Sequence, residues 1–184
     1  MSIESNNNTV KPPVPEPTPD NIGKVPMIDL ASLDLTHIVA DREKIGKMNP
    51  HRDHMALLDS VLWHDHNLKR GVGVWKIKPT EFWCSGHFPG RPMVPGILQV
   101  EAGAQMSVWL YNSRFAQPIV AAFTRLEHCS FRAAVAPGDE LFILAHEIRA
   151  NDKLFESYIQ GIVNGKISFA ARISGVNVGP ALIR

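Results

Sequence analysis

The chain has little of three things that would narrow its class at once: charge of one sign, cysteine, and long apolar runs. Its 19 basic and 18 acidic residues among 184 give a formal net charge of +1. The chain as a whole therefore has no electrostatic bias towards nucleic acid or a membrane surface. The two cysteines, Cys84 and Cys129, match no metal-ligand spacing and no disulfide framework, which favours a reducing, cytoplasmic setting. The sequence shows no secretory signal and no apolar run near the roughly 18 residues of a membrane span.

The first residues differ in composition from the rest. Residues 1–26 are rich in Pro, Asn and polar side chains and poor in large apolar groups. Such a segment buries too little apolar surface to offset its ordering entropy, so the sequence predicts a disordered tail. Residues 27–184 have a length that suits a single core, and we expect one domain there, with one or two short helices over residues 27–47.

Beyond residue 47 the periodicity predicts an α+β domain. Residues 71–78 alternate with the period of two that is typical of a strand. After a long apolar segment, four further strands are predicted, and Asn164-Gly165 is a strong hairpin signal between the last two. We expect these four to form an antiparallel meander; they span residues 119–131, 140–149, 153–163 and 166–176.

The long apolar segment begins at Gly96 and reads as a helix of about 20 residues, with apolar side chains on every face. A chain of this length can bury such a helix by wrapping a curved antiparallel sheet around it. Glu101 is its only charged side chain, and a buried carboxylate costs several kcal/mol unless it is paired or protonated. Gln105, one turn further on, is placed to hydrogen-bond it. The alternative is a structural carboxylate at the mouth of the helix.

The loop before the helix holds one histidine, His87, between Gly and Pro residues that restrict its position. A histidine near neutrality serves as a general base, and the unpaired N–H groups at Gly96 favour a polarised carbonyl. Base, acid and oxyanion donor together indicate proton-transfer chemistry on a carbonyl compound. By contrast, His64 and His66 lie in a polar turn without a further ligand, so no metal site is predicted there.

Three motifs then resemble a known family. The segment GHFPGRPMVPGILQVEAGAQ closely resembles the signature of the β-hydroxyacyl-acyl carrier protein dehydratases of the FabZ type, members of the hot-dog fold superfamily. PHRDHMALLDSVL and FRAAVAPGDEL are similar to two further segments of that family. The resemblance covers about residues 49–176. It implies a long central helix wrapped by an antiparallel sheet, in agreement with the periodicity.

The resemblance also implies an activity: reversible syn elimination of water from a (3R)-hydroxyacyl thioester to the trans-2-enoyl thioester. His87 matches the base that takes the C2 proton, and Glu101 the acid that protonates the departing hydroxyl. Apolar surroundings are expected to raise the pKa of Glu101 for that role. The Gly96 N–H matches the donor to the thioester carbonyl. The other residues expected at the substrate site are Phe88, Pro95 and Gln105.

The implied partners are an acyl carrier protein or CoA thioester and a second copy of the chain. In the family each site takes the histidine from one subunit and the carboxylate from the other, and dimers often form a trimer of dimers. No metal or redox cofactor is implied. Because carrier proteins are acidic, exposed basic residues are candidates for docking them. Arg91 and Arg132 lead, followed by Lys69, Arg70 and Arg125.

The chain departs from the family pattern at Asp53-His54-Met55, where Tyr-Pro-Phe is usual, and at Ser60, which replaces an arginine. These positions are expected to lie away from the acid–base pair. Two alternatives remain open: a hot-dog thioesterase that uses Glu101 to activate water, and a non-catalytic protein that binds acyl carriers. An isomerase of the FabA type is less well matched, because that type has Asp where this chain has Glu101.

Overall fold

The computed structural model describes residues 14–181, and in it one long helix packs against a seven-stranded antiparallel sheet. The strands are β1 (Ala40–Asp41), β2 (Ser60–His64), β3 (Arg70–Lys76), β4 (Ile119–Phe131), β5 (Glu140–Ala150), β6 (Leu154–Val163) and β7 (Lys166–Pro180), and the helices are α1 (Arg42–Met48) and α2 (Gly96–Asn112). The strand order in the sheet is β1-β2-β3-β5-β6-β7-β4, and two short 3-10 turns cover Leu30–Ser32 and Asp53–Met55. This confirms the predicted α+β class and the hot-dog arrangement.

Helix α2 is the centre of the core. It has 17 residues, about 26 Å, and is therefore slightly shorter than the predicted 20. Nearly every residue from Gln99 to Asn112 is buried, as expected for a helix that is apolar on all faces. Gly103 lets the sheet approach closely: a Cβ atom there would lie 2.6 Å from Cδ1 of Ile159 on β6.

The predicted strands are largely confirmed. Strand β4 has the predicted limits, and the turn between β6 and β7 has positive φ at Asn164 (49°) and Gly165 (73°), as a tight hairpin requires. The predicted meander of four strands is wrong. Strands β5, β6 and β7 follow one another through hairpins, but β4 pairs with β7 at the opposite edge from β1.

The region before β2, where one or two short helices are predicted over residues 27–47, contains little regular structure. Apart from a 3-10 turn it consists of the two-residue strand β1 and the seven-residue helix α1. Asp41 begins that helix by accepting a hydrogen bond from the Lys44 N–H at 2.9 Å. Helix α1 lies against α2, and Ile45 is its buried residue.

Residues 16–28, here termed the N-terminal strap, correct the prediction of a disordered tail. Ile22, Met27 and Ile28 are buried in a cluster with side chains of the outer sheet face, including Leu144 and Ile162. The strap is ordered because its few apolar residues find a complementary apolar surface that local composition does not reveal. Residues 1–13 of the predicted tail and residues 182–184 lie outside the described residues, and the single-domain boundary stays a prediction.

The strap is also held by the side chain of Gln160, which is fully buried on β6. Its amide donates to the carbonyls of Ile22 and Val25 and accepts from the Met27 N–H, at 2.8 Å for the last of these. A polar side chain on an apolar sheet face is thereby paired with backbone groups of the strap.

Candidate active site

The loop that carries His87 is closed by its own backbone. The His87 N–H donates to the Trp83 carbonyl at 2.8 Å, and the Met93 N–H donates to the His87 carbonyl at 2.8 Å. Between them the Arg91 N–H donates to the Phe88 carbonyl at 3.0 Å, with Gly90 at φ 76° in the turn. A side chain at Gly90 would be strained at that angle, which explains the glycine. The loop therefore holds His87 in one defined place.

The imidazole of His87 has a defined tautomer. Its Nδ1 lies 2.8 Å from the Met93 carbonyl oxygen. Because a carbonyl oxygen only accepts, Nδ1 carries a proton, and in the neutral imidazole Nε2 is then the nitrogen with the lone pair. The Phe88 ring stacks on the imidazole at a centroid distance of 4.2 Å and is itself half exposed. A partly exposed neutral imidazole with a free Nε2 is suited to accept a proton.

His87 and Gly96 line the same pocket of about 460 Å³. Pro95 is the N-cap of α2, and within residues 14–181 the Gly96 N–H has no hydrogen-bond partner. The Phe131 ring lies close against Gly96, where a Cβ atom would be only 2.8 Å from its Cε1. The loop and the helix start therefore place a base and an unpaired N–H donor, which the sequence analysis assigned separately, around one cavity.

Glu101 lies in a different environment, beside a histidine that the sequence analysis did not assign. Its Oε1 accepts from Nε2 of Gln105 at 2.9 Å and lies 3.3 Å from Nε2 of His51. Burial alone would raise the pKa of Glu101, but the hydrogen bonds from His51 and Gln105 and the charge of His51 outweigh burial and lower it. The expectation of a raised pKa is wrong, because two donors stabilise the carboxylate more than its surroundings penalise it.

Gln105 joins Glu101 to the segment before β2. Its buried amide accepts from the Leu57 N–H at 3.1 Å and donates to the Met55 carbonyl at 2.7 Å. Asn49 adds a bond from its Nδ2 to the Gln105 backbone carbonyl at 2.9 Å. The departure at Met55 is thus nearer to the acid than expected. The contact uses its backbone, so it does not depend on which side chain is present.

Within the described chain His87 and Glu101 share no hydrogen bond or ion pair. The pocket of His87 is lined by residues of the loop, the start of α2 and the end of β4, and Glu101 is not among them. A second pocket, of about 540 Å³, lies on the side of His51 and Gln105. Within one described chain the base and the acid therefore make no direct polar contact and do not line one pocket.

The candidate docking residues are dispersed. Arg132 lines the His87 pocket, and Arg91 is exposed on the turn that follows His87. Two of the remaining candidates already form ion pairs: Arg70 with Glu16 of the strap, and Arg125 with Glu127 at 3.7 Å. Lys69 is exposed just before β3.

The described residues offer neither a metal site nor a membrane-spanning helix. Across residues 14–181, no group of three or more His, Cys, Asp and Glu side chains is arranged to hold a metal ion. His64 donates from Nδ1 to the Asp65 carbonyl at 2.7 Å. None of the helices in the same range combines the length and apolar character that a membrane span requires.

His51, Asn49 and Phe131 were missed by sequence reasoning as parts of the site. His51 lies in the PHR segment that resembles the family, but no periodicity or spacing relates it to Glu101, 50 positions later. Phe131 ends a predicted strand, and only the fold brings its ring onto Gly96.

Comparisons with known proteins give one consistent result. The model of the FabA-like domain family matches residues 49–172. The 3-hydroxyacyl-[acyl-carrier-protein] dehydratase FabZ of Geobacillus thermodenitrificans is 34% identical over 128 residues, 69% of this chain and 88% of the relative. The enzyme of that name from Polynucleobacter necessarius is 32% identical over 141 residues, 76% and 93% of the two chains.

Solved structures support the fold. A chain of the dehydratase heterocomplex ApeI:P from Xenorhabdus doucetiae superposes with a TM-score of 0.63 at 14% identity, covering 72% of this chain and 90% of that one. Cj0977, a sigma28-regulated virulence protein from Campylobacter jejuni, gives 0.58 at 15% identity, covering 83% and 100%. At these identities the likeness concerns architecture alone.

Proposed function

Since the chain belongs to the FabA-like domain family, we propose that it catalyses the reversible elimination of water from (3R)-3-hydroxyacyl thioesters to give trans-2-enoyl thioesters. The curated relatives are named as dehydratases of acyl-carrier-protein substrates, which supports a carrier-bound thioester here. The observation that carries the proposal is the contact of His87 Nδ1 with the Met93 carbonyl, which leaves Nε2 to take a proton in the pocket that Gly96 also lines.

The residues divide the reaction between them. Nε2 of His87 takes the C2 proton, and the electrons of that C–H bond form the C2–C3 double bond. The Gly96 N–H stabilises the negative charge that develops on the thioester oxygen. The C3–O bond breaks, and the hydroxyl leaves as water with a proton from Glu101. The products are the enoyl thioester and water, with His87 protonated and Glu101 ionised, and hydration is the same sequence reversed.

The lowered pKa of Glu101 suits the hydration direction, in which the carboxylate accepts a proton from attacking water. In the elimination direction Glu101 must first be protonated. The Glu101 side chain is 28% exposed to solvent. An acyl chain that covers it raises the pKa of Glu101 by further desolvation. Substrate binding therefore moves Glu101 towards the form that elimination requires.

We propose a homodimer with shared sites, His87 of one chain facing Glu101 of the other. The separation of the two residues within one chain supports this. So does an apolar surface around His87: Phe88, Ile97 and Phe131 are 51%, 62% and 52% exposed. Clustered exposed side chains of this kind are typical of an interface. A trimer of dimers, CoA in place of the carrier, and docking of the carrier at Arg91 and Arg132 are finer parts of the proposal.

The free cysteines, Cys84 and Cys129, fit a reducing cytoplasm, where we propose that the reaction takes place. The thioesterase alternative is favoured by the lowered pKa of Glu101, where the hydrogen bonds from His51 and Gln105 outweigh burial, since a base that activates water must be ionised.

One assay distinguishes the two reactions. The purified protein is given a crotonyl thioester, and loss of enoyl absorbance is followed beside release of free thiol. We expect hydration without thiol release, and a loss of at least about a hundredfold in rate for both His87→Ala and Glu101→Gln. Thiol release without hydration would support the thioesterase, and unchanged rates in both variants would remove these residues from the chemistry.

The shared site has a separate test. Each variant lacks one of the two groups, so a mixed dimer of His87→Ala and Glu101→Gln chains contains one complete site. We expect co-expressed chains to recover activity that neither variant has alone. No recovery in a mixed dimer isolated with two different tags would place both groups in one chain.

A further inference from the structure

The Glu101 carboxylate is held at one oxygen only. Oε1 has both of its polar neighbours, Nε2 of Gln105 at 2.9 Å and Nε2 of His51 at 3.3 Å. Among the described residues Oε2 accepts no hydrogen bond. Two donors on one oxygen restrict rotation of the carboxylate and leave the other oxygen for a reacting group.

The imidazole of His51 can act as that donor in its neutral form. Its Nδ1 is buried without a hydrogen-bond partner among residues 14–181, whereas its Nε2 faces the carboxylate oxygen. The tautomer with hydrogen on Nε2 makes the contact a hydrogen bond. The opposite tautomer would put two acceptors together and bury an unpaired N–H.

The backbone around His51 is fixed by its neighbour. The guanidinium of Arg52 donates to the carbonyls of His51 at 2.8 Å, Asn49 at 2.9 Å and Gly46 at 3.0 Å. Asn49 in turn donates to the Gln105 carbonyl on α2. Because Met55 and Leu57 also bond to the Gln105 side chain, the segment that carries His51 is attached to α2 both before and after His51.

From this geometry, and resting on the proposed function, we propose that His51 is a positioning residue of the reaction: it holds Glu101 through Oε1, so that Oε2 exchanges the proton with the C3 hydroxyl or water. His51 does not touch the substrate in this role. It acts through the orientation and the proton affinity of the carboxylate.

Two ion pairs lie near His51. Lys47 lies 2.9 Å from Glu43, and Arg42 lies 2.9 Å from Asp59. Glu101 on α2 is the carboxylate in direct contact with the imidazole. The charged side chains that line the pocket beside His51, from α1 and the segment after it, are Arg42, Glu43, Lys47, Arg52 and Asp53.

The test measures Glu101 directly and through the rate. The side-chain carboxyl of Glu101 is titrated by NMR in the full chain labelled with ¹³C-glutamate, with Glu101→Gln to assign the signal. In His51→Ala one donor is lost and burial then dominates, so we expect Glu101 to titrate at higher pH. Since hydration needs the ionised carboxylate, the acidic limb of the pH–rate profile for hydration should also move to higher pH. We expect kcat/KM to fall about tenfold to a hundredfold.

Two variants serve as matched controls. His51→Gln keeps an N–H donor near the position of Nε2 and should restore most of the titration and the rate. His54→Ala makes the same change three residues later, at an exposed ring whose neighbour is Phe82 at 5.9 Å, and should change neither.

An unmoved Glu101 titration in His51→Ala would overturn the inference whatever the rate. So would a rate loss equal at every pH that His51→Gln does not rescue, since that pattern marks a structural role alone. A wild-type protein that fails to hydrate the thioester would overturn the proposed function instead, and this is seen before any substitution at His51.

Discussion

Replacing Gln160 by leucine should release the N-terminal strap while the core remains folded. The two side chains are similar in size, so the change removes hydrogen bonds more than volume. Lost partners are the Met27 N–H and the carbonyls of Ile22 and Val25. Each backbone group left buried without a partner costs about 1–3 kcal/mol. Val25 is partly exposed, so its carbonyl can hydrogen-bond to water. The Met27 N–H and the Ile22 carbonyl would stay buried without a partner, at a total cost of about 2–6 kcal/mol.

That cost competes with the burial that holds the strap in place. Three apolar side chains, Ile22, Met27 and Ile28, contribute about 1.5–3 kcal/mol each, an upper estimate because unfolded chains already bury some surface. Detachment also returns conformational entropy to the strap. If the strap detaches, its backbone groups reach water and the hydrogen-bond penalty disappears, so the loss of stability cannot exceed what docking of the strap contributes. We therefore expect the free energy of unfolding to fall by about 1–3 kcal/mol.

The measurement is hydrogen exchange by mass spectrometry on peptides that cover residues 16–28, together with urea unfolding followed by tryptophan fluorescence. We expect strap amides to lose protection in Gln160→Leu, while α2 amides keep theirs. Gln117→Leu, the same change at an exposed residue, is the control and should alter neither quantity. Wild-type protection of the strap in Gln160→Leu would refute the reasoning, since the buried amide would then not be what holds it.

Two further predictions concern the core and the acid limb of stability. Gly103→Ala should lower the free energy of unfolding in urea by a net of about 1–2 kcal/mol, because the clash of the new methyl group with Ile159 costs more than the gain in helix propensity. Ile159→Val in the same chain should recover part of this loss. A Gly103→Ala protein more stable than the wild type would contradict the packing. Glu156 accepts hydrogen bonds from Arg149 and Arg172, which lower its pKa, so its contribution is present above the unfolded value near 4.5 and is lost as pH falls through the folded value. Glu156→Gln should therefore be less stable at neutral pH and lose less stability on acidification, and parallel curves of stability against pH would exclude this role.

The elements that local patterns predict well are those whose determinants are local. Asn164-Gly165 adopts positive φ at both positions because that turn type requires it, and strands β6 and β7 follow on either side. Helix α2 is apolar on all sides, and this alone predicts that it is buried within a sheet, independent of the sequences of the strands.

Partner choice is not local, and there the sequence is a poor guide. Strand β4 has the predicted limits, yet it pairs with β7 rather than with the next strand along the chain. The strap is similar: its proline-rich composition predicts disorder, while its partner, Gln160, lies more than 130 positions later. Nothing in either segment alone specifies the contact that orders it.

The two catalytic candidates differ in the same way. His87 is held by a carbonyl six positions away, within one Gly- and Pro-rich loop, so its position could be anticipated from the loop itself. The surroundings of Glu101 come from a segment about 50 positions earlier, and the apolar residues next to it on α2 predict a pKa shift of the wrong sign. The donor that reverses the sign, His51, approaches from outside the helix. For an ionisable group on a buried helix, the direction of its pKa shift is therefore decided by what other elements bring to it, and the helix sequence alone reports only the cost of burial.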